Sequence, residues 1–123
     1  MKTYDDNNIF AKILRGEIPN DTVYEDDHVL AFRDINPQAP VHVLVIPKGA
    51  YVDMTDFSAN ASDAELTAYF RALAKIANLL EVEDDGYRLI SNTGKNGEQD
   101  VPHLHVHIAG GRRLRRMLQP SED

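Results

Sequence analysis

His103-Leu104-His105-Val106-His107-Ile108-Ala109-Gly110-Gly111 is the stretch on which the reading of this chain turns. Side chains alternate faces along a strand. As a strand, the stretch puts His103, His105 and His107 on one face and Leu104, Val106 and Ile108 on the other. The apolar trio suits a core, and the imidazoles then line the opposite face. Three of the chain's five histidines fall within these five residues, which is dense for a merely solvated surface. Gly110-Gly111 ends the strand.

The flanking sequence supplies the rest of the sheet. Val41-His42-Val43-Leu44-Val45-Ile46 is apolar at nearly every position, as expected of a central strand covered on both faces. Thr22-Val23-Tyr24-Glu25 and Val29-Leu30-Ala31-Phe32 flank Asp26-Asp27-His28, a hairpin pattern. Tyr87-Arg88-Leu89-Ile90-Ser91 is a further strand. A short helix opens the chain, capped by Asn7 or Asn8, with Ile9, Phe10, Ile13 and Leu14 at helical spacing and Gly16 as its stop. A long helix spans 62 to about 81. Ser62 and Glu65 form a capping box, and Leu66, Tyr69, Phe70, Leu73, Ile76, Ala77 and Leu80 form its apolar face. The expected fold is α+β, a mostly antiparallel sheet of about five strands with two helices. One domain is expected over 1–123, with a core at 7–113 and a tail at 114–123.

Composition narrows the function. The net charge of −7 argues against a general nucleic-acid binder. The basic run Arg112-Arg113-Leu114-Arg115-Arg116 reads as a solvated tail. There is no Cys, so thiolate catalysis, disulfides and Cys-based zinc sites are excluded. The opening residues lack an apolar signal core and no run reaches membrane-spanning length, so a soluble cytoplasmic protein with no membrane partner is expected.

Two chemistries compete for the histidine face. A metal could use a His pair with a third ligand such as His42. All three together fit poorly, because at about 3.3 Å per residue the Cα atoms of His103 and His107 lie about 13 Å apart. Metal-free catalysis is the alternative. One imidazole can act as a neutral nucleophile at phosphorus, and a covalent phosphoryl-histidine splits one hard displacement into two easier steps.

The run His103–Ala109 also resembles the signature of the histidine triad family, His-φ-His-φ-His-φ-φ with φ apolar. The resemblance spans residues 7 to 113. It includes Asn8-Ile9-Phe10-Ala11-Lys12-Ile13 with Gly16-Glu17-Ile18-Pro19, and Leu30 through Pro40 followed by His42 and Val45-Ile46-Pro47-Lys48. The ending Gly110-Gly111-Arg112 is similar to the Hint branch. This resemblance implies a homodimer and a metal-independent hydrolase that needs no cofactor. The reaction it implies is cleavage at the α-phosphate of purine nucleoside monophosphate derivatives (AMP or GMP and their phosphoramidates) through a nucleotidyl-histidine. A dinucleoside polyphosphate hydrolase and a nucleotide-binding regulatory module are the alternatives.

The resemblance also implies roles. His105 is the nucleophile. His107 bonds the phosphate or assists the leaving group. His103 orients the nucleophile and leans on His42. Asn92 and the loop at Gln99 contact phosphate, and Asp34 accepts from the ribose hydroxyls. Ile9, Phe10, Ile13, Phe32 and Ile35 form a slot for the base, although Phe10, Ile13 and Phe32 also read as ordinary core. The chain departs from the pattern at Glu98-Gln99-Asp100, where better-known Hint proteins have Gly-Gln-Ser. Asp100 is expected to turn outward, because its charge would repel a phosphate, and to leave its backbone N–H facing the site.

Overall fold

Asn8 caps the first helix, α1 (Ile9–Leu14), in the computed structural model, which describes residues 3–118. The Asn8 carboxamide accepts from Ala11 N–H. Gly16, at φ +78°, ends the helix with Gly16 N–H on Ile13 O and Glu17 N–H on Lys12 O. That pair of bonds is a Schellman closure, and the left-handed residue it needs is glycine. Six residues are too few to hold a helix by propensity alone. Packing of Phe10 and Ile13 against the sheet supplies the rest.

Two strands follow, β1 (Thr22–Glu25) and β2 (Val29–Arg33), and form the expected hairpin. The Asp26 carboxylate builds its turn, accepting from His28 N–H, Val29 N–H and the Tyr24 hydroxyl. Next come β3 (Val41–Pro47), α2 (Met54–Asn60), α3 (Asp63–Leu79), β4 (Tyr87–Ile90) and β5 (Val106–Gly110). The five strands form one sheet in the order β1-β2-β3-β5-β4, with every pairing antiparallel. Gly111 leaves β5 at φ +88°, where a Cβ would come within 2.9 Å of Pro40.

Alternation sorts the sheet into two faces. Val29, Ala31, Val43, Val45, Val106 and Ile108 point toward α3 and meet Tyr69, Ala72, Leu73 and Ile76. Leu30, Phe32, Leu44 and Ile46 point the other way, toward Phe10 and Ile13. β3 is therefore buried on both faces, as its apolar run implies. Each fully buried Val or Ile there contributes roughly 1.5–3 kcal/mol relative to exposure. His107 pairs across from Leu44, so β5 presents its imidazole on the α1 side.

Three expectations change. A third helix, α2, was not expected. It is short, buries only Phe57 and carries no amphipathic period, so its one sequence cue is the Asp53 cap, which accepts from Asp56 N–H. The Ser62–Glu65 capping box is present at the start of α3. Its buried face uses Ala72, however, while Phe70 is exposed and Leu66 and Leu80 pack at the margin. The histidine strand also starts later than His103, because β5 begins at Val106.

Pro47 explains that late start. Continuing the register would set Pro47 opposite Leu104, and proline has no N–H for the ladder. The Pro47 carbonyl is taken by the His103 ring, and Leu104 N–H goes to Tyr51 O instead. Among the described residues no helix is long and apolar enough to cross a membrane. Residues 119–123 of the tail lie outside the described residues. Arg88 donates to the carbonyls of Arg115 and Arg116 nearer the sheet.

Candidate active site

Each histidine of the triad has at least one ring nitrogen fixed by a neighbour, and these bonds assign the protons. His103 is fully buried and its Nε2 lies 2.9 Å from Pro47 O. A carbonyl only accepts, so Nε2 carries the proton. Nδ1 then accepts from the Tyr4 hydroxyl at 2.6 Å. Burial pushes the His103 pKa down to about 4, so the ring is neutral near pH 7.

His105 turns back on its own segment, and its Nδ1 donates to His103 O at 2.8 Å. In the neutral ring the lone pair therefore sits on Nε2. The Phe10 ring meets this imidazole edge to face at 5.0 Å between centroids. This fixes the ring plane without competing for either nitrogen.

His107 is set from the other side. Gln38 N–H donates to His42 Nδ1 at 3.0 Å, so His42 carries its proton on Nε2. That proton reaches His107 Nδ1 at 2.9 Å. His107 consequently holds its own proton on Nε2, and its ring stands 5.1 Å from the His105 ring between centroids. Burial, then the neighbouring His105 and His42, lowers its pKa to about 4. Arg112 donates to Gln38 O and so holds the loop that sets this chain of bonds.

His103 therefore does not lean on His42, which supports His107 instead. His103 offers its backbone carbonyl to His105 Nδ1–H and is itself held by Tyr4 and Pro47. Tyr4, Pro47 and Gln38 were missed. Tyr4 lies 99 residues from its partner, and no local pattern marks such a pair.

Beside the histidines lies a cleft of about 260 Å³. Ile9, Phe10, Ile13, Phe32, Ile35, Asp34 and Asp100 all line it. Phe10, Ile13 and Phe32 are at once cleft wall and core. Asp34 Oδ1 accepts from Asn36 N–H, and Oδ2 lies 3.6 Å from His42 Nε2. Asn92 is half-buried past the end of β4 and is not part of this lining. The cleft meets the histidines through Phe10, Asp34 and Asp100, whereas a roomier hollow of about 390 Å³ near Glu81, Asp85, Arg112 and Arg113 shares no lining residue with it.

Two loop residues behave differently from expectation. Gln99 is a brace: its amide N–H groups go to Val52 O and Val101 O, its oxygen accepts from Gly94 N–H, and its own N–H goes to Gly94 O. No Gln99 donor is left for phosphate. Asp100 points inward rather than outward. Its Oδ1 lies 3.3 Å from His105 Nε2 and also accepts from Val101 N–H. The Val101 N–H fixes one carboxylate oxygen and leaves the group facing the imidazole. Opposite charge on that ring, when protonated, favours the same pose.

Among the described residues, Asp34, His42 and His107 offer ligand atoms all within 4.8 Å of one another, a donor set that suits a divalent ion. His42 Nε2 and His107 Nδ1 already share a proton between them. An ion there would have to replace that proton.

Residues 15–114 match the HIT domain family. A 13.2 kDa HIT-like protein of Azospirillum brasilense is 59% identical over 117 residues, covering 95% of this chain and 96% of that protein. The purine nucleoside phosphoramidase of Escherichia coli (strain K12) is 51% identical over 110 residues, covering 89% and 92%. Among solved structures, a HIT family hydrolase from Clostridium thermocellum superposes with a TM-score of 0.83 at 41% identity, covering 93% of this chain and 99% of that one.

Proposed function

The chain belongs to the HIT domain family, and on that footing we propose that it is a nucleoside phosphoramidase, a hydrolase acting at the α-phosphorus of purine nucleoside monophosphate derivatives. The observation that carries this is the state of His105: Nδ1 is anchored on His103 O, which leaves the Nε2 lone pair directed at the cleft side where Asp100 sits. The likeness to the Escherichia coli phosphoramidase supports the substrate class.

The proposed reaction has two displacements. His105 Nε2 attacks phosphorus and forms an N–P bond. The P–N bond to the leaving amine breaks, and its electron pair goes to the amine nitrogen, which takes a proton from solvent. The ring becomes positively charged on bonding phosphorus, and the His103 carbonyl, which accepts from Nδ1–H, stabilises that charge. His107 Nε2–H donates to a phosphate oxygen. Water then attacks phosphorus, the bond to Nε2 breaks, and the pair returns to the ring as water gives up a proton to solvent. Nucleoside monophosphate and neutral His105 result. Ile9, Phe10, Ile13, Phe32 and Ile35 hold the base, Asp34 the ribose diol, and Asn92 approaches the phosphate.

The test is turnover by the purified protein of adenosine 5′-phosphoramidate and of diadenosine polyphosphates, with and without a chelator. Phosphoramidate is expected to be hydrolysed faster, and chelation is expected to change nothing. AMP binding without turnover of either substrate would instead favour a regulatory module. Activity lost to chelator and restored by zinc would favour the Asp34–His42–His107 ion site.

A homodimer is proposed as well. β4 is a sheet edge whose Tyr87, Leu89 and Ile90 are exposed, and Phe70 of α3 is exposed too. An uncovered apolar edge strand is a template for pairing with a second chain. Sedimentation at micromolar concentration is expected to give twice the 13.8 kDa chain mass, and a monomer mass would contradict the pairing.

A further inference from the structure

Asp100 is the feature of the site that the proposed chemistry does not use. Its side chain is 78% exposed, whereas the His105 side chain 3.3 Å away is 2% exposed. The carboxylate thus stands on the solvent side of the nucleophilic nitrogen, where an incoming phosphorus must come. A phosphate cannot share that position with a carboxylate, so Asp100 has to swing aside. Little resists the movement, since Oδ1 is held only by the adjacent Val101 N–H and by the ring itself.

Where it swings is limited by its attachment at the cleft, which Asp100 lines. In-line displacement puts the leaving group on the far side of phosphorus from His105 Nε2. Because the nucleophile is buried, that far side faces solvent, the side on which the exposed Asp100 carboxylate stands and to which incoming phosphorus displaces it. The cleft's other charged lining does not neutralise it. Asp21 and Asp34 are acidic, and the one arginine, Arg33, has its Nε 3.7 Å from Asp21 Oδ2.

We propose that Asp100 is a specificity residue, resting on the phosphoramidase reading: its carboxylate favours phosphoramidates whose leaving amine bears a further positive charge and disfavours leaving groups that bear negative charge. The exposed position limits the size of the effect through screening. A severalfold change in each direction is expected, giving about a tenfold spread in kcat/KM between cationic and anionic leaving groups. Polyphosphate leaving groups fall on the disfavoured side.

The experiment uses three matched adenosine 5′-phosphoramidates, made from 1,3-diaminopropane, propylamine and β-alanine, which differ in the charge of the tail. With the unaltered protein, kcat/KM is expected to fall in that order, and the spread is expected to narrow at high salt. In Asp100→Asn, which keeps an oxygen for Val101 N–H, the spread is expected to collapse to within about twofold. An unaltered protein with no charge order, or an Asp100→Asn protein with the full spread, would overturn the assignment. Turnover of none of the three by the unaltered protein would overturn the phosphoramidase reading, and this inference with it.

Discussion

His105→Ala is expected to lose turnover of adenosine phosphoramidate by about 10⁴-fold or more while binding AMP within severalfold of the unaltered protein. The size of the loss follows from what the ring does. His103 O fixes Nδ1 as a donor, so Nε2 is the one nitrogen of this ring with a lone pair for phosphorus. His107 cannot replace it, because its Nδ1 accepts from His42 and its Nε2 carries a proton. His103 cannot either, since both of its nitrogens are engaged by Pro47 and Tyr4. In the proposed scheme nucleotide binding rests on other groups, chiefly the apolar cleft wall and Asp34. The ring is buried against Phe10, so its removal leaves a gap and lowers stability. AMP binding therefore serves as the control for folding, and His105→Asn supplies a variant closer in volume. Near-full activity in either folded variant would contradict the assignment.

Removing the donor is expected to matter next most. His107→Ala should lower kcat by about 10²–10⁴-fold, the range of a positioned proton donor. His42→Phe should cost about one to two orders of magnitude, although His42 does not reach phosphorus in this scheme. Its Nε2–H is what keeps the His107 proton on the outward nitrogen, and without it the His107 ring can adopt the wrong tautomer and tilt. His42→Gln, which retains an N–H donor, should fall between His42→Phe and the unaltered protein. The His42→Phe effect should largely vanish in a His107→Ala background, because the two residues act as a unit. Independent, additive losses would show that His42 does not work through His107.

Much of the scaffold was legible because it is written in local periods. The alternation from Leu104 to Ile108 put the apolar trio under α3 even though the strand proper starts only at Val106. The doubly apolar run at 41–46, the Asp26 hairpin and the Ser62–Glu65 box likewise depend on neighbours a few residues away. Phe70 fits the helical stripe yet is exposed, because the stripe fixes a face only to within its width and Ala72 packs closer to the sheet.

The fine wiring of the site was not legible, since each bond joins distant segments. Pro47 meets His103 across 56 residues, and His42 meets His107 across 65. Nothing in the spacing says that His42 supports His107 and not His103. Gln99 was expected to face phosphate, yet its amide satisfies three backbone groups of its own loop and of Val52. Asp100 was expected to avoid a phosphate site on charge alone. Its Oδ1 instead accepts from the Val101 N–H, and the opposite charge of the His105 ring, when that ring is protonated, favours the same inward pose.

The most direct measurement is rapid-quench trapping with adenosine phosphoramidate, followed by peptide mass spectrometry. The expected result is a nucleoside monophosphate adduct on the peptide bearing His105, bonded at Nε2, formed and consumed fast enough to account for turnover and absent from His105→Ala. Turnover without any adduct, or an adduct carried by His103 or His107, would contradict a covalent mechanism through His105.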